Sequence, residues 1–174
     1  MFNFTWRTWL ISGLLALTLT PAVQASPNEL RPVGTSQVKV LLMRIYEATL
    51  KTPDGRYQAN RYPLALEIRY QRSVAKEMLL KITNEQWQHL GISLTQRQQW
   101  LNQLKTLWPA AVQAGDTLTL YVDNKGGNRF YYNGKPLGGV NHVRFGEQFL
   151  AIWLSPNTSR PDLRQQLITP RNPT

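Results

Sequence analysis

The side chains best placed to do chemistry in this sequence are two arginines and two tyrosines on stretches with strand-like alternation. In QVKVLLMRIYEATLK (residues 37–51) Arg44 falls in phase with Leu42 and Tyr46. After YPLALEIRYQ (residues 62–71) Arg72 continues the phase of Leu66, Ile68 and Tyr70. An arginine aimed into an apolar cavity binds a carboxylate through a charge-assisted and often bidentate pair. The competing reading for Arg44 and Arg72 is a strand-end charge left in water; Arg69 is out of phase and belongs to solvent. Trp87, Trp100, Trp108 and Trp153 at helical spacing are ordinarily core packing. Apolar walls with a few polar tips are also what a small-molecule or lipid cavity requires. The candidate ligand-binding set is therefore Arg44, Tyr46, Tyr70, Arg72 and Trp87.

Other chemistries lack their parts. His89 and His142 have no spaced histidine or carboxylate partner, and a zinc site needs three or four converging ligands. No serine lies in a glycine-flanked elbow. Gly126-Gly127 and Gly138-Gly139 are short turn pairs without the longer glycine pattern of a phosphate loop, so no cofactor is expected. The acids are few and scattered. The absence of cysteine removes disulfides and thiolate chemistry together.

The elements that must position these residues are legible from period and punctuation. Residues 37–51 read as a strand covered on both sides, or bulged near Leu41–Met43. Thr52-Pro53-Asp54-Gly55 is a turn, and 62–71 a half-buried strand. The period changes at Ser73: Val74, Met78, Leu79, Ile82 and Trp87 mark a helix stopped by Gly91. Thr95 with Gln98 reads as a capping box for a second helix carrying Trp100, Leu101, Leu104 and Leu107. Strands follow at Leu118–Val122 and Arg129–Tyr132, then an Asn133-Gly134 hairpin, whose two central residues need positive φ. A helix through Phe145, Phe149, Ile152 and Trp153 leads to a last one opened by Ser159-Arg160-Pro161-Asp162, a serine cap with proline in the first turn. Helices grouped between and after strand runs give an α+β domain, with helices on one face of a largely antiparallel sheet.

Residues 1–25 have the form of a secretory signal: Arg7, an apolar run from Trp9 to Thr20, Pro21, then Val23-Gln24-Ala25 before a cleavage at Ser26. The run is short for a bilayer span of about 20 residues. A retained anchor is the alternative. Cleavage would leave one domain, 26–174, in the periplasm. The net charge of +10 invites a nucleic-acid reading. Spread cations and export argue against it and for a solvated basic surface, weakly attracted to anionic lipids.

Three phrases, VKVLLMRIYEATL, the run ending in WQHLGI, and FLAIWLSPNTS before a short helix, together resemble bacterial chalcone isomerase-like proteins. The resemblance implies an open-faced sandwich, an antiparallel sheet under a layer of helices. In plant chalcone isomerases an arginine positions the substrate phenolate, helped by a strand threonine and helix tyrosine, lysine and asparagine. The matching helix positions here are Ala75, Met78 and Ile82; the strand threonine falls on Leu41 and a later helix threonine on Ile152. Arg31 reaches the arginine's place only with a gap. Apolar or small groups there cannot donate to a phenolate, and losing such donors costs orders of magnitude in rate. The expectation is an exported, non-catalytic protein holding an apolar or amphipathic ligand such as a fatty acid, as in plant relatives of the fold. The alternatives are an interaction module whose pocket is filled by its own aromatics, or an isomerase acting on another small substrate.

Overall fold

The structure, a computed structural model, describes residues 26–40 and 43–170. The expected signal segment and Leu41 lie outside the described residues. A 3-10 turn at Pro27–Glu29 leads into β1 (Arg31–Val40) and β2 (Met43–Thr52). Next come β3 (Leu64–Tyr70), a short β4 (Val74–Ala75), α1 (Lys76–His89) and α2 (Leu94–Leu107). The chain continues through β5 (Ala111–Val112), β6 (Thr117–Val122), β7 (Asn128–Tyr132), β8 (Lys135–Gly138), α3 (Phe145–Leu154) and α4 (Pro161–Ile168).

Six strands form one antiparallel sheet in the order β1-β2-β3-β6-β7-β8. Because β3 pairs directly with β6, everything between them is a helical insertion. The β4–β5 pair closes its base, with Val74 opposite Val112 and Ala75 opposite Ala111. Helices α3 and α4 complete one layer over one sheet face. This is the α+β open-faced sandwich, with the main core between the layers.

The alternation of 62–71 and 118–122 holds: Leu64, Leu66, Ile68, Tyr70, Leu118, Leu120 and Val122 all enter the main core. The reverse face carries a smaller cluster of Leu30, Ala65 and Tyr121. Asn133 (φ 50°) and Gly134 (φ 77°) form the expected hairpin turn, and Gly91 (φ 76°) stops α1. The helical layer is knit by edge-to-face rings. Trp87 lies 5.2 Å from Trp100 and 5.9 Å from Phe145, and Phe149 lies 5.3 Å from Phe130.

Four local readings need correction. Residues 37–51 are not one strand: Val40 pairs with Met43, so the chain reverses between them, and the two-faced apolar pattern belongs to two antiparallel strands. Ser93, not Thr95, caps α2, its Oγ accepting from Gln96 N at 3.3 Å. Ser159 does not cap α4; Arg160 holds that position without a side-chain cap, and the serine hydroxyl donates to Gln86 Oε1 at 2.6 Å. On α1 the buried residues are Leu79, Thr83 and Trp87, whereas Met78 and Ile82 are exposed.

Helix α4 reaches the sheet because β1 carries a glycine beneath it. A Cβ on Gly34 would lie 2.2 Å from Gln166 O and 2.6 Å from Leu167 O. Backbone carbonyls cannot move aside as a side-chain tip can. Gly34→Ala is therefore expected to cost about 1–3 kcal/mol, the usual range for overpacking, read as a lower denaturation midpoint.

The start of β6, beside Tyr70 at the end of β3, is clamped by Asp116. Its carboxylate accepts from Gln113 N at 2.6 Å, Asn133 Nδ2 at 2.9 Å and the Tyr132 hydroxyl. These donors hold the carboxyl below the usual range, the Tyr132 hydroxyl most of all. Asp54 is lowered mainly by the Arg56 backbone N–H, and Asp162 mainly by Arg160. A carboxyl depressed in the folded state stabilises fully above its unfolded value of about 3.9 and loses that contribution as pH falls through the folded value. The urea midpoint should thus stay level from about pH 7 to 5 and fall below about pH 4. A midpoint already falling at pH 6 would contradict this.

Candidate functional site

Between the sheet and the helical layer, at the end of the sheet where β1 and β2 turn, lies a cavity of about 290 Å³. Its sheet wall is Val38 of β1, Ile45 and Tyr46 of β2, Ile68 and Tyr70 of β3, and Leu118 of β6. Helix α1 contributes Leu79, Ile82, Thr83 and Gln86; α3 contributes Phe149, Ile152 and Trp153. Ser159, Arg160 and Leu163 close the side next to α4, and Val74 and Trp108 complete the lining. The volume stands at the lower end of the roughly 300–1,000 Å³ typical of small-molecule sites.

Antiparallel register brings the two tyrosines together, since Tyr46 pairs directly with Tyr70. Their rings are 6.0 Å apart and tilted by 57°. Tyr46 Oη accepts from Trp153 Nε1 at 3.2 Å, which leaves its own O–H free to donate. Burial pushes the Tyr46 phenol up, against the Trp153 hydrogen bond and the positive charge of Arg160. Tyr70 is pushed up as well, again chiefly by burial and then by Tyr46. Both phenols therefore stay neutral donors at physiological pH.

The charged group at the site is Arg160. It is placed by the connection between α3 and α4, within the phrase FLAIWLSPNTS and its sequel. Thr158 Oγ1 donates to Ile152 O at 2.6 Å, and Arg164 Nε donates to Leu154 O at 2.8 Å, so the last carbonyls of α3 are satisfied by side chains. Asn157 O accepts from His89 Nε2 at 3.0 Å, and Ser159 donates to Gln86, tying the connection to α1. Arg160 then grips Asp162 through Nε at 3.1 Å and Nη2 at 2.9 Å. That pairing leaves the Nη1 hydrogens uncommitted, and Arg160 is among the residues lining the cavity.

Of the five side chains expected from the sequence, the structure brings two into this lining, Tyr46 and Tyr70. Arg44 has the right phase, but it stands opposite Lys39 at the end of β2 and is exposed. Arg72 lies past Tyr70, the last residue of β3, where alternation no longer applies, and is also exposed. Trp87 is fully buried inside the aromatic core, its Nε1 donating to Gln148 O at 3.0 Å, and does not line the cavity. Arg160 went unnoticed because its surroundings read as a helix cap. Strand alternation carries no signal for a residue in a helix connection. Among the described residues no group of histidines and acids could hold a metal ion.

A family model described as chalcone isomerase-like matches residues 16–169. The chain belongs to the chalcone isomerase-like family. The crystal structure of a fatty-acid binding protein from Arabidopsis thaliana shares the fold, with a TM-score of 0.60 over 83% of this chain and 90% of that one, at 11% identity. An uncharacterized protein of Haemophilus influenzae is 24% identical over 138 residues, 79% of this chain and 67% of that one. On this chalcone isomerase-like scaffold, Ile82 and Ile152 line the cavity, and Met78 and Ala75 are exposed beside it on α1 and before it. Arg31 begins β1 opposite Thr52, at the end of the sheet away from the cavity.

Proposed function

We propose that this chalcone isomerase-like protein is a non-catalytic carrier of one amphipathic acyl ligand of the fatty-acid kind. The observation that carries the reading is the cavity itself: an apolar chamber with two neutral phenols inside and one guanidinium at its rim. The acyl body would occupy the space among Ile68, Leu118, Phe149 and Ile152. The head group would take hydrogen bonds from Arg160 Nη1 and the tyrosine hydroxyls. A pocket filled by the protein's own aromatics would have left no such space. Apolar Ile82 and Ile152, where the resemblance to plant enzymes calls for hydrogen-bonding groups, support binding without turnover. The fatty-acid binding protein that shares the fold supports the choice of ligand class. We place the protein in the periplasm after cleavage before Ser26, on the form of residues 1–25; the intact mass of protein recovered from the envelope tests this.

Trp153 and Trp108 both line the cavity, so their fluorescence reports filling. Titration with a medium-chain fatty acid should change tryptophan emission saturably at one ligand per chain. Arg160→Gln should weaken binding of the acid by about 1.5–3 kcal/mol, the range for a hydrogen bond to a charged group, and leave its methyl ester unaffected. Equal loss for acid and ester would remove Arg160 from head-group recognition. No emission change with any acyl chain would remove the proposal.

A further inference from the structure

The end of the sheet that holds the cavity brings exposed cations together with exposed apolar side chains. Lys39 and Arg44 face each other across β1 and β2, and Arg72 follows β3 at the same end. All three are exposed, and none is in an ion pair among the described residues. Like charges opposite each other on paired strands repel, so this arrangement costs the isolated protein stability. Beside them Met43 is 44% exposed, Met78 48% and Ile82 46%. Met43 lies two residues from Ile45 of the cavity wall, and Met78 one turn from Ile82 at its rim.

The acids nearby do not cancel this charge. Asp116 is held by Tyr132 and Asn133, and Asp162 is engaged by Arg160. Glu47 accepts from Gln37 Nε2 at 3.3 Å, and neither it nor Glu77, in the first turn of α1, is in an ion pair with the three cations. The opposite end of the sheet also carries exposed cations, Arg31, Arg56 and Lys125, and there Arg61 is neutralised by Asp54 at 2.8 Å; what sets the cavity end apart is that its cations stand with Met43, Met78 and Ile82. No described helix is long and apolar enough to cross a membrane.

From this we infer that the cavity end of the molecule is a docking surface for an anionic lipid bilayer, cations on the phosphates and Met43, Met78 and Ile82 in the interface. Cations gathered around exposed apolar side chains match a surface of anionic head groups over acyl chains. The placement gives the exposed apolar side chains next to the cavity wall a role: a ligand would pass between bilayer and cavity without crossing water. That purpose rests on the carrier reading; the docking itself does not.

The test is cosedimentation of the full chain with vesicles of phosphatidylcholine alone or mixed with phosphatidylglycerol. Binding to the mixed vesicles is expected, weakening with salt. Arg44→Gln with Arg72→Gln should reduce it roughly 25-fold, at about fivefold per cation. Arg56→Gln with Lys125→Gln, which removes the same charge from the far end, should leave it unchanged. Met43→Ser with Met78→Ser should weaken binding while preserving its salt dependence. Equal loss in both charge pairs would mean net charge alone acts and would overturn the docking surface. Absent binding, or equal binding to neutral vesicles, would overturn it too. Acyl uptake in lipid-free solution should be unaffected by Arg44→Gln with Arg72→Gln, because neither residue lines the cavity. Lost uptake in wild type with retained docking would sink the carrier reading alone.

Discussion

Trp87→Ala is expected to destabilise the protein by about 3–5 kcal/mol, the range for truncating a fully buried tryptophan. A loss of that size takes a large share of a stability of about 5–15 kcal/mol. Trp87 has no exposed surface, meets Trp100, Phe145 and Phe149 at ring distances of 5.2, 5.9 and 6.2 Å, and donates to Gln148 O. It is where α1, α2 and α3 meet. Alanine would remove those ring contacts and the hydrogen bond to Gln148 O. Urea denaturation measures the loss. Trp87→Phe separates packing from recognition: it should keep acyl binding within about twofold while losing part of the stability, as a residue behind the wall would. Impaired binding in a folded Trp87→Phe protein would return Trp87 to the ligand set.

Filling the cavity should have the largest effect on binding. Ile152→Trp places an indole where α3 faces the chamber, between Phe149 and Trp153 on one helix surface. Excluding three or four methylenes of a bound chain removes about 3 kcal/mol, roughly a hundredfold in affinity. Stability should change by no more than about 1–3 kcal/mol, because the added ring enters space already open. Retained binding in this variant would mean that the ligand lies elsewhere.

The parts of this molecule that announced themselves in its sequence are those governed by local rules. Alternation at Leu64–Tyr70 and Leu118–Val122 survives because one face of each strand meets the helices. Asn133-Gly134 declares its turn because so few residues accept positive φ at both positions. The reversal between Val40 and Met43 was hidden because no glycine, proline, asparagine or aspartate marks it. The apolar ends of two successive strands then read as one continuous strand. The site was half legible for the same reason. Tyr46 and Tyr70 follow strand phase and are paired by register, whereas Arg44 and Arg72 keep the phase but pass beyond the helical cover that gives phase its meaning. Arg160 depends on tertiary contacts, the His89–Asn157 and Gln86–Ser159 hydrogen bonds, that no local pattern encodes.

The most direct test of the carrier reading is native mass spectrometry of the protein purified gently from the cell envelope. A population carrying the mass of one acyl chain is expected, or an apo protein that takes up one added fatty acid, with Ile152→Trp carrying none. A clean apo mass that stays unchanged on adding fatty acids would contradict it.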